Sequence, residues 1–303
     1  MRRRQGKQHM VIAHLTGGFG NQMFCYAFGA AVAQFRNDIL AIDTSMQDAE
    51  WFFRNADLLE MDVPYDKRIS YPVGRRMIDR VFLNKWHYYS KTGCTTKVVT
   101  EKAVNELTVW SDAFKEYIVK PKNIILKGNW GKETYFKPAA DKIRKSFVFK
   151  HPLTPPALRV RDEIRSVKGS VTIHYRRGDY VRVGACPSPQ YFLDAMDVVA
   201  EKVPHPVFFC FSEDIDWVKE QFAESKYDIR YPRYESDKKG VEDFRLLMEG
   251  EHQIISNSSY SWWAAYLNKH EDKIVVIPQN GTLWAEDFGL LEWIKIPMTL
   301  LEK

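Results

Sequence analysis

The stretch HQIISNSSYSWWAAYLNKHEDKIVVIP, residues 252–278, holds a strand, a helix and a second strand in that order. HQIIS (252–256) and KIVVIP (273–278) are short apolar runs, and SSYSWWAAYLN (258–268) between them has helical length. Strands joined through a helix lie parallel, because a tight hairpin can only reverse direction. The same alternation continues upstream. SVTIHY (170–175) reads as a strand, and SPQYFLDAMDVVAEKV (188–203) as a helix with Ser188 at its N-cap and Pro189 in its first turn. PVFFCFS (206–212) is a strand, while DIDWVKEQF (214–222) and EDFRLLMEG (242–250) are helices. Near the other end, MVIAHL (10–15) is a strand, TGGFGNQ (16–22) a glycine loop, MFCYAFGAAVAQF (23–35) a helix and DILAID (38–43) a strand.

The expected class is therefore α/β, with two Rossmann-like domains facing a cleft. The segment 44–165 is less regular, with a strand at NIILKGN (123–129) and a helix near 137–149. HPLTPPAL (151–158) carries three prolines and reads as a linker, so the domains are set at 9–160 and 161–303.

The 303 residues are 45% hydrophobic and 27% charged, ample for two packed domains. The formal charge of +5, part of it in the MRRRQGK start, suits phosphate-bearing substrates but is too small to argue for nucleic acid. Cys25, Cys94, Cys186 and Cys210 are scattered without a CxxC pair, so neither a disulfide framework nor a zinc knuckle is expected. No run resembles a signal peptide or approaches the roughly 20 apolar residues that cross a bilayer. A cytoplasmic protein is expected, the sequons NSS (257–259) and NGT (280–282) carry little weight, and peripheral membrane association stays open.

Ligands of open parallel sheets bind beyond the carboxyl ends of strands, and three polar constellations fall there. In IHYRRGDY (173–180), alternation puts His174 and Arg176 on one face and Tyr175 and Arg177 on the other. The fork of Arg176 suits two phosphate oxygens; Arg177 is expected to be structural, paired with a carboxylate, and Gly178 to allow a sharp turn. In ISNSSYSWW (255–263), a helix start with Ser258 and Ser259 makes an anion site, with Trp262 and Trp263 assigned to the core. TGGFGNQ resembles a dinucleotide fingerprint through Gly18 and Gly20, with Asp43 where a ribose-binding acid would sit. Met23, however, occupies the third glycine's place, and Asn21 and Gln22 offer uncharged donors and acceptors to a ligand. GNWGK (128–132) lacks the spacing of a P-loop, DID (214–216) fits a helix cap through Asp214, and no metal site is expected. Together these residues suit an enzyme that grips a diphosphate without a metal: a nucleotide-sugar transferase with the nucleotide on the C-terminal half and the acceptor on the N-terminal half.

These residues resemble the alpha-1,2-fucosyltransferase family. The likeness runs through GGFGNQMFCYAFGAAVA, LKGNWGKETYF (126–136), IHYRRGDYV, CPSPQYF (186–192), FFCFSEDIDWVKE (208–220) and DFRLLMEGEHQIISNSSYSWWAAYLN (243–268), in the family's order. It implies a GT-B fold, GDP-fucose as donor, inversion at the fucose carbon, no metal and no other cofactor. The acceptor would be a terminal beta-galactose of a free or lipid-linked glycan, fucosylated at O2. By this resemblance Arg176 holds the beta-phosphate and His174 the nucleotide, Asp243 contacts the guanosine, and Ser258, Ser259 and Tyr260 the pyrophosphate. Gly20 and Asn21 approach the donor from the other domain. The candidates for the general base are Asp179, Glu133 and Asp43, and Trp130, Glu133 and Tyr135 are the acceptor-side residues. Animal members carry a membrane anchor, so a bacterial enzyme building surface glycans is the implied setting. Two rivals stand beside this reading. One is an NAD-dependent oxidoreductase using GGFGNQ and Asp43; the other is a non-catalytic basic module binding nucleic acid or acidic glycan.

Overall fold

A computed structural model describes residues 9–49, 54–70, 96–279 and 288–301. The basic start, Cys94 and NGT (280–282) lie outside them. The chain divides into two compact units, one ending at Lys150 and the other beginning at His151. The break precedes the expected boundary at 160. The proline-rich stretch supplies the start of a helix, Pro155–Ser166, with proline in its first turn, where no amide hydrogen is needed.

The first unit is built on five strands: β1 Met10–His14, β2 Ile39–Asp43, β3 Lys67–Ile69, β4 Thr96–Thr100 and β5 Asn123–Lys127. They form a wholly parallel sheet in the order β3-β2-β1-β5-β4. Val11, Ile12 and Ala13 of β1 are completely buried, as expected of a central strand covered on both faces. The first helix runs Phe19–Arg36, four residues earlier than the sequence suggests (19 against 23), so half of the expected glycine loop is helix. Gly29 lies against β1, where a Cβ would stand 2.6 Å from that of Ala13. Close helix–strand packing thus falls to Gly29, not to the position held by Met23.

The second unit carries β6 Ser170–His174, β7 Val207–Phe211, β8 Asp228–Arg230, β9 His252–Ile255, β10 Val275–Pro278 and β11 Ile294–Ile296. Their order is β11-β10-β9-β6-β7-β8, again all parallel. Counted within the unit, this is the 3-2-1-4-5-6 arrangement of a Rossmann sheet, whose strand order reverses between its first and fourth strands, here β6 and β9. Val171, Ile173, Phe208, Cys210, Ile254 and Val276 pack with Tyr191, Phe192 and Met196 of the helix Pro189–Ala200. Trp262 and Trp263 are fully buried core residues. Cys25, Cys186 and Cys210 are buried free thiols. Among the described residues, no helix is long and apolar enough to cross a membrane.

Candidate functional site

The carboxyl ends of β6 and β9 lie side by side, with His174 in register with Ile255. Ser256 ties them together: its hydroxyl donates to the His174 carbonyl at 2.7 Å and accepts from the Arg176 amide at 3.0 Å. His174 is 5% exposed, and its Nδ1 is buried with no hydrogen-bond partner. Burial first, and then the Arg176 charge, push its pKa down to about 3, so the ring is neutral. Its face lies 4.9 Å from the Tyr260 ring.

From β9 the chain passes through Ser256–Ser258 into the helix Ser259–Leu267. Ser258 occupies the N-cap position, yet its side chain makes no capping bond. Asn257 donates through Nδ2 to the Ala185 carbonyl at 3.1 Å, and its Oδ1 is buried without a partner. Two orphaned buried polar atoms, His174 Nδ1 and Asn257 Oδ1, therefore occur beside one uncapped helix start. Buried polar groups are seldom left so without a reason, and a helix start beside them favours an anion.

The two arginines have different surroundings. Arg176 forms ion pairs through one terminal nitrogen with Asp179 and through the other with Glu213. Arg177 donates from Nε to Asp214 at 3.1 Å and stacks its guanidinium 3.4 Å over the Trp217 ring. Arg177 is thus structural, as expected, with Asp214 as its carboxylate. Asp214 occupies the expected cap position but makes no capping bond. Asp179, a candidate base, already holds the Arg176 guanidinium, so a proton-accepting role would cost that pair.

Asp243 lies on the helix Lys239–Leu247 and accepts from the Tyr234 hydroxyl at 2.6 Å and from Lys239 Nζ at 3.2 Å. Burial raises its pKa despite the nearby Lys239. Tyr260 links this helix to the next, its hydroxyl donating to the Gly240 carbonyl and its ring meeting Phe244 at 5.2 Å. His174, Arg176, Ser258, Ser259 and Tyr260 are thereby gathered at one switch point, with Asp243 on the adjoining helix.

In the first unit, Gly17 takes a left-handed φ of +64°, and the Asn21 amide lies where a Cβ would be. Gly20 is buried in the first helical turn, and a Cβ on Gly18 would stand 3.8 Å from the Arg54 guanidinium. Gln22 is not available to a ligand. It is fully buried, with Nε2 donating to the Gly17 and Asn55 carbonyls and Oε1 accepting from the Leu58 amide. Trp130 and Tyr135 are also corrected. Both are buried, Trp130 against Phe28 at 4.4 Å and Tyr135 against Phe28 at 5.3 Å, so neither offers a face to a sugar. Tyr135 instead donates to Asn105 at 2.5 Å. Glu133 is half-buried at the start of a short turn, Glu133–Tyr135.

Asp43 is fully buried and bonded to His14 Nδ1 at 2.7 Å and to the Ser45 amide at 3.0 Å. An acid so occupied cannot hold a ribose, which removes the basis of the dinucleotide reading. Sequence reasoning passed over His14 and Glu213. The only signal for His14 was a lone histidine ending an apolar strand; for Glu213, an acid two residues past a strand end.

The sequence profile of Glycosyl transferase family 11 matches residues 99–296. An alpha-1,2-colitosyltransferase of Escherichia coli is 30% identical over 297 residues, covering 91% of this chain and 93% of that protein. The O-antigen biosynthesis glycosyltransferase WbnK of Escherichia coli is 25% identical, over 88% and 93% respectively. Galactoside alpha-(1,2)-fucosyltransferase 1 of Leontocebus fuscicollis is 30% identical over 146 residues, 44% of this chain and 40% of that protein. Among solved structures, the fucosyltransferase NodZ from Bradyrhizobium has a TM-score of 0.55 at 16% identity, covering 86% of this chain and 93% of that one. That likeness is one of fold, α/β of the GT-B type.

Proposed function

The chain belongs to glycosyl transferase family 11 and is a glycosyltransferase; on that premise we propose that it moves L-fucose from GDP-fucose to O2 of a terminal beta-galactose, inverting the fucose carbon. The observation that carries the donor half is the switch point of the second sheet. It combines a neutral buried histidine with an orphaned Nδ1, an arginine fork and an uncapped helix start. Arg176 and the first-turn amides of Ser259–Leu267 face the charge that builds on the diphosphate as the glycosidic bond breaks. His174 meets the nucleotide as a neutral acceptor or donor, and Asp243 reads the base. Diphosphate neutralisation is thus assigned to protein groups, without a metal. The first unit, with Glu133, serves the acceptor, and the reaction takes place in the cytoplasm on a glycan destined for the surface.

The test is calorimetric titration of GDP in EDTA and moderate salt, then product analysis with GDP-fucose and a panel of galactosides. The expected result is saturable GDP binding that NAD does not mimic, and an alpha-1,2-linked fucoside. Failure to bind GDP while folded overturns the donor site. A second donor reading is favoured by the full-length likeness to a colitosyltransferase. Colitose is fucose without its 3-hydroxyl, so equal concentrations of GDP-fucose and GDP-colitose in one assay decide which sugar is preferred.

A further inference from the structure

The first sheet ends in a row of ionisable side chains that the reaction as described leaves unused. His14 ends β1 in register with Asp43 of β2. Lys127 ends β5 one residue past Leu126, the partner of Ala13. The preceding row is Ala13, Ile42 and Leu126, all completely buried. The sheet therefore turns from apolar to ionisable at its carboxyl edge, where β1 and β5 form the switch point of this unit.

Within that row the hydrogen bonds run one way. Asp43 is fully buried; one oxygen accepts from His14 at 2.7 Å and the other from the amide and hydroxyl of Ser45. Burial pushes its pKa up, but these bonds, His14's first, outweigh burial and hold it below the ordinary value, so it is a carboxylate. A carboxylate only accepts, so His14 carries its proton on Nδ1 and presents the lone pair of Nε2. His14 makes no second hydrogen bond among the described residues, and its side chain is 15% exposed. The arrangement is that of a base oriented by a buried acid.

We infer that His14 is the general base of the transfer and Asp43 the positioning residue behind it, an assignment that rests on the transferase reading above. The acceptor hydroxyl gives its proton to His14 Nε2 as its oxygen bonds to the anomeric carbon of the donor sugar. The bond from that carbon to the beta-phosphate oxygen breaks, its electron pair leaving on the nucleoside diphosphate. The imidazolium is held by Asp43 until it releases the proton to water. Asp43 itself, sealed and already bonded, does not touch the acceptor. The charged groups on neighbouring elements are Asp43 of β2, Lys127 of β5, Arg54 beside Gly18, and Glu101, which accepts from the Asn129 amide at 2.8 Å.

The test begins with the unaltered protein, GDP-fucose and a galactoside. No transfer from GDP-fucose, nor from GDP-colitose in its place, overturns the proposed donor and acceptor, and this role with them. Transfer whose kcat stays flat as pH falls through the histidine range overturns the base alone. The expected profile has an acid limb. His14→Gln should lower kcat by about 10²–10⁴, keep the GDP dissociation constant within twofold, and abolish the acid limb. His14→Ala should regain activity when imidazole is added, which a purely structural histidine would not allow. Asp43→Asn should lower kcat and shift the limb without affecting GDP binding. A His14→Gln protein with near-normal kcat, or one whose loss matches an equal loss of GDP affinity, overturns the assignment.

Discussion

Arg176 and Arg177 are neighbours in different surroundings, and substitution tests the separate roles proposed for them. Arg176→Ala should lose about 10²–10³ in transfer rate, because on the proposed function its fork meets a charge that peaks in the transition state. Arg177→Ala should destabilise the fold by about 2–3 kcal/mol in denaturant titrations, since it strips Asp214 of its partner and uncovers Trp217. Equal catalytic losses with equal stability losses would refute that division. Glu213 is ion-paired with Arg176, so under the proposed function it competes with the diphosphate for that side chain. Glu213→Gln keeps an acceptor but removes the negative charge, and should tighten GDP binding roughly three- to tenfold by calorimetry. His174 sets a pH dependence of stability. Its pKa is about 3 when folded against 6.5 unfolded, so the unfolded chain binds the extra proton between those values. Stability should therefore fall with falling pH below about 6.5, by up to ~1.4 kcal/mol per pH unit from this group. His174→Asn should flatten that slope relative to the unaltered protein.

At the scale of elements, Ser256 joins the ends of β6 and β9, where the donor is proposed to bind. Ser256→Ala would leave the His174 carbonyl and the Arg176 amide without their shared hydroxyl, costing about 1–3 kcal/mol and weakening GDP binding as Arg176 shifts. Urea titration and calorimetry on one preparation check both. The central strands were legible in the sequence because a strand buried on both faces reads as an unbroken apolar run, as VIA and FFC do. Three of the four edge strands, KRI, DIR and IKI, are three residues each, with charged side chains, and carry no such signal. The helix start at Phe19 was hidden because glycines announce a loop, although helix packing tolerates Gly20 and requires Gly29. The cluster of His174, Arg176, Ser258 and Ser259 could be anticipated, since each part ends a strand or follows one directly. His14 with Asp43, and Arg176 with Glu213, could not: their partners lie 29 and 37 residues away and meet only through strand order.

For the whole molecule, two separately packed units predict two distinguishable responses to ligand. Calorimetric scans should resolve two transitions, and GDP at 100 times its dissociation constant should stabilise only the second unit, by about 2.7 kcal/mol. A uniform shift of both transitions would contradict the assignment of the nucleotide to that unit alone. The order β11-β10-β9-β6-β7-β8 also bears on how the chain is made. The central strand β6 is the first of its sheet to leave the ribosome, yet its partner β9 begins at His252, 78 residues after β6 ends at His174. Until then the nascent chain exposes one edge of an apolar strand, and parallel pairing across so long a crossover is slow. The consequence is a window of vulnerability during synthesis: a chain stalled between β8 and β9 holds a half-sheet with an open edge, and ribosome-bound chains of that length should be the most protease-sensitive of the series.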